Sequence, residues 1–122
     1  MALDEHELLA TAYREFNRRN IEAVLAMMHP DVKWANGMEG GHVVGREAVR
    51  AYWTRQFLTL DPQVEPVGIE RDTEGRFVVR VHQVVRDRDG KLLVDTFVLH
   101  AYRIRDKLIQ QMDIEPATGG IE

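Results

Sequence analysis

Apolar residues return every three to four positions in the first half of the chain, which is the spacing of amphipathic helices. This pattern predicts helices over residues 4–18, 21–28 and 46–57, and Pro30 ends the second helix because proline cannot continue one. A brief alternation of apolar and polar residues at 32–34 predicts a short strand. The first half is therefore predicted to hold three helices and one strand.

The second half of the chain changes to the two-residue period of β-strands. In residues 77–86, Gln83 joins the apolar residues on one face, whereas arginines and His82 lie on the other. A hairpin-turn sequence follows this strand. The predicted meander has four antiparallel strands, at residues 63–71, 77–86, 92–104 and 108–115.

This order of elements favours an α+β domain with its helices on one face of a curved sheet. The glycine-rich residues 36–45 are predicted to form a loop. A sheet coiled around helices leaves a concave pocket at its open end. The length of 122 residues predicts a single domain over 1–122, with its core in about 4–115.

Composition narrows the classes of partner. The net charge is -4 and the arginines are interspersed with acids, which argues against nucleic acid or an anionic membrane. The chain has no cysteine, and its histidines lack the spacing of a metal site, so no metal is expected. The sequence also shows no signal peptide and no run of about 18 apolar residues, so a cytoplasmic protein is expected.

Two polar residues in the last predicted hairpin are candidates for chemistry. His100 shares an apolar strand face, where an imidazole can shuttle a proton or donate a hydrogen bond. Asp113 lies between Met112 and Ile114, and a half-buried carboxylate there would serve as a general base. Each residue also fits a structural role, as a core or interface histidine and as an edge-strand aspartate paired with an arginine.

Other candidates for a pocket are mainly aromatic. Tyr13 lies on the apolar face of the first predicted helix, where its hydroxyl is either a pocket donor or part of the core. The same choice between core and pocket wall applies to Phe16, Trp34, Trp53 and Met112.

Three segments of the sequence, HPDVKW, GREAVRAYW and RIRDKLIQQMDIE, carry a resemblance to a known family. Over residues 4–115 the chain resembles the SnoaL-like branch of the nuclear transport factor 2-like superfamily, which includes ketosteroid isomerase. The resemblance implies a cystatin-like cone, in which a strongly bent antiparallel sheet wraps against three N-terminal helices and forms a dimer. Because this fold hosts isomerases, cyclases, dehydratases and binding modules, it does not determine the function.

The resemblance to the isomerase also implies roles for single residues. Counting back from Gly45, Asn36 occupies the position of the catalytic aspartate, and an amide cannot be the general base. Tyr13 matches the oxyanion tyrosine, and His100 falls where the isomerase has a protonated aspartate.

SnoaL-type cyclases use a His and Asp pair without a metal. The resemblance to them implies that His100 and Asp113 are this pair, with Asp113 as the acid/base. The turn at 106–107 is one residue shorter than the usual one, and a one-residue change of register would turn Asp113 to the other face of the sheet.

Two functions are therefore expected as alternatives. The first is a cofactor-free acid/base enzyme of the isomerase, cyclase or dehydratase type, with an apolar carbonyl-containing substrate. Its base would be Asp113, and its donors would be His100 and Tyr13. The second is a non-catalytic ligand-binding or dimeric interaction module, which the amide at Asn36 favours.

An apolar small molecule is the expected partner, although the second function also allows a cone filled by its own side chains. A homodimer is expected through the sheet face that carries Arg80 and His82. Neither function calls for a cofactor, nucleic acid or a membrane. The predicted substrate-binding residues are Phe16, Trp34, Asn36, Trp53 and Met112.

Overall fold

The computed structural model of the protein describes residues 4–37 and 39–117. Three helices and six strands follow one another in this part of the chain. Their order is α1 (Glu5–Asn17), α2 (Ile21–Leu25), β1 (Met28–Ala35), β2 (His42–Val44), α3 (Arg46–Thr59), β3 (Leu60–Arg71), β4 (Phe77–Asp87), β5 (Leu92–Arg105) and β6 (Leu108–Pro116).

Helix α1 begins as the sequence predicts. The side chain of Asp4 accepts a hydrogen bond from the backbone N–H of Glu7 at 2.8 Å, and the Glu7 carboxylate accepts from the N–H of Asp4 at 3.3 Å. This capping box satisfies backbone donors that the first helical turn leaves free. The helix then buries an apolar face made of Leu8, Leu9, Ala12 and Tyr13.

Helix α2 is shorter than predicted, because it ends at Leu25 and Pro30 lies inside β1. The expectation that Pro30 ends a helix was therefore wrong. The strand tolerates the proline because its pairing with β6 is interrupted there, between Met28 and Lys33. A residue without an N–H costs least where the hydrogen-bond ladder is already broken.

The six strands form one bent, unclosed sheet in the order β2-β1-β6-β5-β4-β3. The predicted meander of β3 to β6 is confirmed, and β1 joins β6 as a parallel neighbour. The predicted loop contains the short strand β2, which pairs with β1. The α+β cone with three helices against the sheet is thus confirmed. No helix of the described residues is long and apolar enough to cross a bilayer.

The hairpin between β5 and β6 has a tight turn. Asp106 and Lys107 both have positive φ angles, of 54° and 65°, as a two-residue turn of type I′ requires. The turn pairs Arg105 with Leu108 and, one step further, Ile104 with Ile109. Ile109 then belongs to the buried core, and the partly buried Ile104 packs against it.

A bulge in β6 follows this turn. Because Ile104 pairs with Ile109 whereas Arg103 pairs with Gln111, Gln110 is one residue in excess on β6. Strict alternation from the buried Ile109 would bring Asp113 to the inner face. The extra residue instead directs Met112 and Ile114 inward, and Asp113 takes the outer face.

Candidate active site

A cavity of about 280 Å³ lies between the inner face of the sheet and the three helices. Its walls are mostly aromatic and aliphatic, and no Asp, Glu, Lys or Arg side chain of residues 4–37 and 39–117 lines it. The lining residues are Ala12, Tyr13, Phe16, Val24, Trp34, Ala35, Gly37, Tyr52, Trp53, Gln56, Leu60, Pro62, Val64, Gln83, Val85, Leu93, Val94, His100, Tyr102, Met112 and Ile114.

Three polar side chains form a hydrogen-bonded chain at the wall of this cavity. The hydroxyl of Tyr102 donates to the hydroxyl of Tyr13 at 2.8 Å, and the Tyr13 hydroxyl lies 2.8 Å from Nδ1 of His100. Tyr102 follows His100 by two residues on β5, so both side chains point to the same face. Helix α1 supplies Tyr13 from the opposite side, and its ring stacks beside the imidazole with centroids 5.9 Å apart.

Burial keeps these three hydrogen-bonded side chains uncharged. The His100 side chain is only 8% exposed, and burial lowers its pKa to about 4, so the imidazole is neutral near pH 7. Burial also raises the pKa of Tyr13 well above its ordinary value and raises that of Tyr102. The polar groups of the cavity wall are therefore neutral donors and acceptors.

Proton counting determines what this chain offers a ligand. If Tyr13 donates to Nδ1 of His100, the imidazole carries its proton on Nε2. Nε2–H is then the only donor of the three side chains that remains without a partner among them. In the other tautomer Nδ1 donates to Tyr13, which leaves both the Tyr13 proton and the Nε2 lone pair without a partner. The first arrangement leaves fewer polar groups of the protein unsatisfied, so it is the more stable of the two.

The aromatic wall residues predicted from the sequence lie together. The rings of Trp34 and Trp53 meet edge to face at 5.3 Å, and those of Phe16 and Trp53 at 5.2 Å. Met112 lines the same cavity. The structure thus places these four residues in the cavity wall, and their binding of a substrate stays a prediction.

Asp113 does not lie where the enzyme hypothesis needs it. Its carboxylate is on the outer face of β6, where it accepts hydrogen bonds from Nε2 of His42 at 2.7 Å and from the amide of Gln111 at 2.9 Å. It pairs across the sheet with Ala101, whereas His100 pairs with Ile114. The expectation that Asp113 is a base in the cavity is therefore contradicted, because the bulge at Gln110 turns its side chain away.

Asn36 is buried but does not line the cavity. Its side-chain oxygen accepts from the N–H of Glu39 at 2.9 Å, and its backbone N–H donates to the carbonyl of Gly41 at 2.9 Å. The amide thus organises the turn between β1 and β2. The prediction that it contacts substrate does not fit this position, although its neighbours Ala35 and Gly37 do line the cavity.

Four polar residues of the cavity wall were absent from the predicted site: Tyr52, Gln56, Gln83 and Tyr102. Strand period places Tyr102 beside His100, and Gln83 interrupts an apolar row on β4. Tyr52 and Gln56 share the face of α3 that carries Trp53. Reading each predicted strand and helix for the polar members of its inner face would have found them.

Within residues 4–37 and 39–117, no three His, Cys, Asp or Glu side chains are grouped to hold a metal ion.

Comparisons with known proteins agree with the geometry. The family model of the SnoaL-like domain matches residues 9–112, while a search of the curated proteins found no match. A nuclear transport factor 2-like protein of unknown function from Burkholderia pseudomallei K96243 is 23% identical, with a TM-score of 0.79 over 93% of this chain and 90% of that one.

Two further solved structures are similar. TerC, co-crystallised with polyporic acid, is 25% identical, with a TM-score of 0.78 over 92% of this chain and 90% of its own. A putative polyketide cyclase from Xanthomonas campestris pv. campestris is 20% identical, with a TM-score of 0.75 over 88% of this chain and 85% of that chain. Because the family model covers most of the sequence, the chain belongs to the SnoaL-like family, and the solved structures share its fold.

Proposed function

We propose that the protein binds a small, uncharged and largely apolar molecule in its cavity, with an oxygen acceptor of that molecule on Nε2–H of His100. The observation that carries this proposal is the neutral, hydrogen-bonded series Tyr102–Tyr13–His100 in a mostly apolar wall. Nε2 of His100 has no hydrogen-bond partner among the described residues, although Nδ1 has one. A ligand carbonyl would supply that partner.

The charge of the ligand follows from the lining. A carboxylate or ammonium group in this cavity would lose its hydration without gaining a counter-ion, since the described lining residues are all uncharged. The volume of about 280 Å³ lies near the lower end of the range for ligand pockets, roughly 300 Å³. These two features favour a compact neutral molecule. TerC, a family relative co-crystallised with polyporic acid, supports small-molecule binding on this fold.

Tryptophan fluorescence offers a direct test, because Trp34 and Trp53 are the only tryptophans of the chain and both line the cavity. The probes are 2-acetonaphthone, which carries a carbonyl, 2-ethylnaphthalene, which lacks it, and 2-naphthoate, which is charged. We expect saturable quenching with the ketone, with an affinity about fivefold above that for the hydrocarbon, as one hydrogen bond provides. The His100→Leu variant should remove this difference.

Two results would overturn the proposal. One is the absence of saturable quenching with either neutral probe. The other is binding of 2-naphthoate as tight as that of the ketone, which would show that the cavity tolerates charge.

The same cavity supports a second candidate function, proton transfer at a carbon next to a carbonyl. The unpartnered Nε2 of a neutral His100 favours it, because the tautomer with a proton on Nδ1 presents a lone pair to the cavity. In this step Nε2 takes the proton from carbon while the Tyr13 hydroxyl donates a hydrogen bond to the carbonyl oxygen, which becomes the enolate. The base would thus be His100 in place of Asp113.

Deuterium exchange distinguishes the two candidates. In D2O, the enzyme should exchange the methyl protons of 2-acetonaphthone faster than buffer does, as followed by NMR, and His100→Leu should abolish this excess. If the bound ketone exchanges only at the buffer rate, the proton-transfer function is contradicted and only the binding function remains.

We further propose a homodimer through the outer face of the sheet. Phe97 on β5 is 43% exposed, its ring stacks against His82 at 4.9 Å, and the guanidinium of Arg80 lies 4.8 Å from its centroid. An exposed aromatic ring beside an imidazole and a guanidinium suits a self-complementary contact. Sedimentation at micromolar concentration should give a dimer mass that Phe97→Glu reduces to a monomer, and a monomeric wild type would contradict the proposal.

A further inference from the structure

One polar side chain interrupts the apolar inner face of β4. Phe77, Val79, Val81 and Val85 are buried on this face, and Gln83 lies among them and lines the cavity. The Gln83 amide makes no hydrogen bond to any part of the chain that the structure describes. A half-buried amide that lines the cavity without a protein partner is available to hydrogen-bond a polar group of a ligand.

A second amide lines the cavity from the helical wall. Gln56 lies one turn after Tyr52 and Trp53 on the cavity face of α3. Its side chain, like that of Gln83, has no hydrogen-bond partner among the described residues. Each amide offers both donors and an acceptor, so the pair suits a hydroxyl or a carbonyl.

These amides lie away from the His100 end of the cavity. Across the ladder of β4 and β5, His100 pairs with Val79, whereas Gln83 pairs with Thr96. Four residues of strand separate Val79 from Gln83, which corresponds to about 13 Å. Gln56 lies toward the same end, because its carbonyl accepts from the N–H of Leu60, where β3 begins beside the last residues of β4.

We propose that Gln56 and Gln83 form a second polar subsite, so that the cavity selects elongated neutral molecules with an oxygen at each end. This inference rests on the proposed function and adds the specificity-determining residues. Allowing about 3 Å for each of two hydrogen bonds, the two ligand oxygens would be roughly 7–13 Å apart. The ligand body between them would contact the aromatic wall.

The test compares two ketones that differ in one hydroxyl, 2-acetonaphthone and 6-hydroxy-2-acetonaphthone. Their affinities are measured by tryptophan quenching for the wild type and for Gln83→Leu and Gln56→Leu. Wild type should bind the hydroxyketone five- to tenfold more tightly than 2-acetonaphthone, and each variant should lose most of this preference.

Gln63→Leu is the matched control, because Gln63 is exposed on the neighbouring strand β3 and does not line the cavity. It carries the same substitution and should keep the full preference for the hydroxyketone. Circular dichroism and thermal unfolding of all three variants establish that each is folded.

The outcomes separate this inference from the proposed function. Equal affinity of wild type for the two ketones, or an unchanged preference in both cavity variants, would overturn the second subsite and leave the proposed function in place. If 2-acetonaphthone itself fails to bind, the proposed function fails, and the subsite fails with it.

Discussion

Two histidine pairs on opposite faces of the sheet have nearly the same hydrogen-bond length and different surroundings. Inside, Nδ1 of His100 lies 2.8 Å from the Tyr13 hydroxyl in a buried, apolar cavity. Outside, Nε2 of His42 lies 2.7 Å from the carboxylate of Asp113, with side chains that are 34% and 25% exposed. The inner pair lacks a carboxylate, and the outer pair lacks an enclosed space for a ligand.

The comparison shows that a His and an Asp within hydrogen-bond distance of each other do not by themselves form a ligand site. Desolvation gives the inner imidazole a pKa of about 4 and leaves Nε2, unpartnered among the described residues, with a ligand as its only available partner in the cavity, since Nδ1 is already bonded to Tyr13. The outer pair has water as an alternative partner for both groups. Any chemistry in the cavity therefore depends on the neutral, hydrogen-bonded side chains Tyr102, Tyr13 and His100.

The largest loss of stability is expected when a charged side chain is placed on the apolar inner face of the sheet. Met112→Asp would place an unpaired carboxylate in the cavity wall and should lower the free energy of unfolding by about 3–5 kcal/mol at pH 7. Since burial raises the pKa of such a carboxyl, part of the loss should be recovered as the pH falls. Urea denaturation at pH 7 and pH 5 measures both, and a loss below 1 kcal/mol would contradict the assigned face.

The second effect is a dependence of stability on pH. Unfolded His100 takes up a proton near pH 6.5, whereas in the folded protein its pKa is about 4. Between these values the unfolded state binds more protons, so the free energy of unfolding falls as the pH falls, by about 3 kcal/mol in total.

His100→Leu should remove that part of the pH dependence, and His42→Gln, which alters only the outer pair, should retain it. Urea denaturation from pH 7 to pH 4 makes the comparison. A His100→Leu curve parallel to that of wild type would show that the inner imidazole is not kept neutral by burial.

A smaller loss of stability is expected when a hydroxyl is removed from the hydrogen-bonded side chains of the cavity wall. Tyr13→Phe removes the hydroxyl between Tyr102 and His100 and leaves two buried polar groups without their partner, which should cost about 2 kcal/mol of stability. Tyr102→Phe removes only the terminal donor and should cost about 1 kcal/mol. Equal losses for the two variants, measured by urea denaturation, would contradict the central position of Tyr13.

The smallest effect is expected on the outer face. Asp113→Asn should change the free energy of unfolding by less than about 1 kcal/mol, because its partner His42 is exposed enough to be hydrated. The variant should bind 2-acetonaphthone with unchanged affinity. A loss of ketone binding of tenfold or more would place Asp113 in the functional site after all.

Much of the fold could be predicted from periodicity and capping. The spacing of Leu8, Leu9 and Phe16 predicts α1, and the alternation in β4 correctly separates its inner valines from Arg80 and His82. Local patterns failed where pairing decided the outcome. Pro30 is tolerated in β1 because the ladder is interrupted there, and no local pattern in the sequence shows that interruption.

The candidate site divides in the same way. The aromatic residues Phe16, Trp34 and Trp53 are apolar members of regular elements, so their inward direction follows from the pattern. Asn36 and Asp113 are polar residues whose direction depends on a turn and on strand register. Their predicted positions in the cavity were wrong for that reason.

The α+β cone, the family and an apolar interior that includes Tyr13 and His100 could all be predicted from the sequence. The reason is that apolar residues recur every 3.6 residues in a helix and every two residues in a strand, so their spacing shows which face is buried. The tertiary structure alone decided on which face Asp113 lies. The two-residue turn and the bulge at Gln110 settle that register, because one extra residue reverses the alternation of every side chain that follows it in β6.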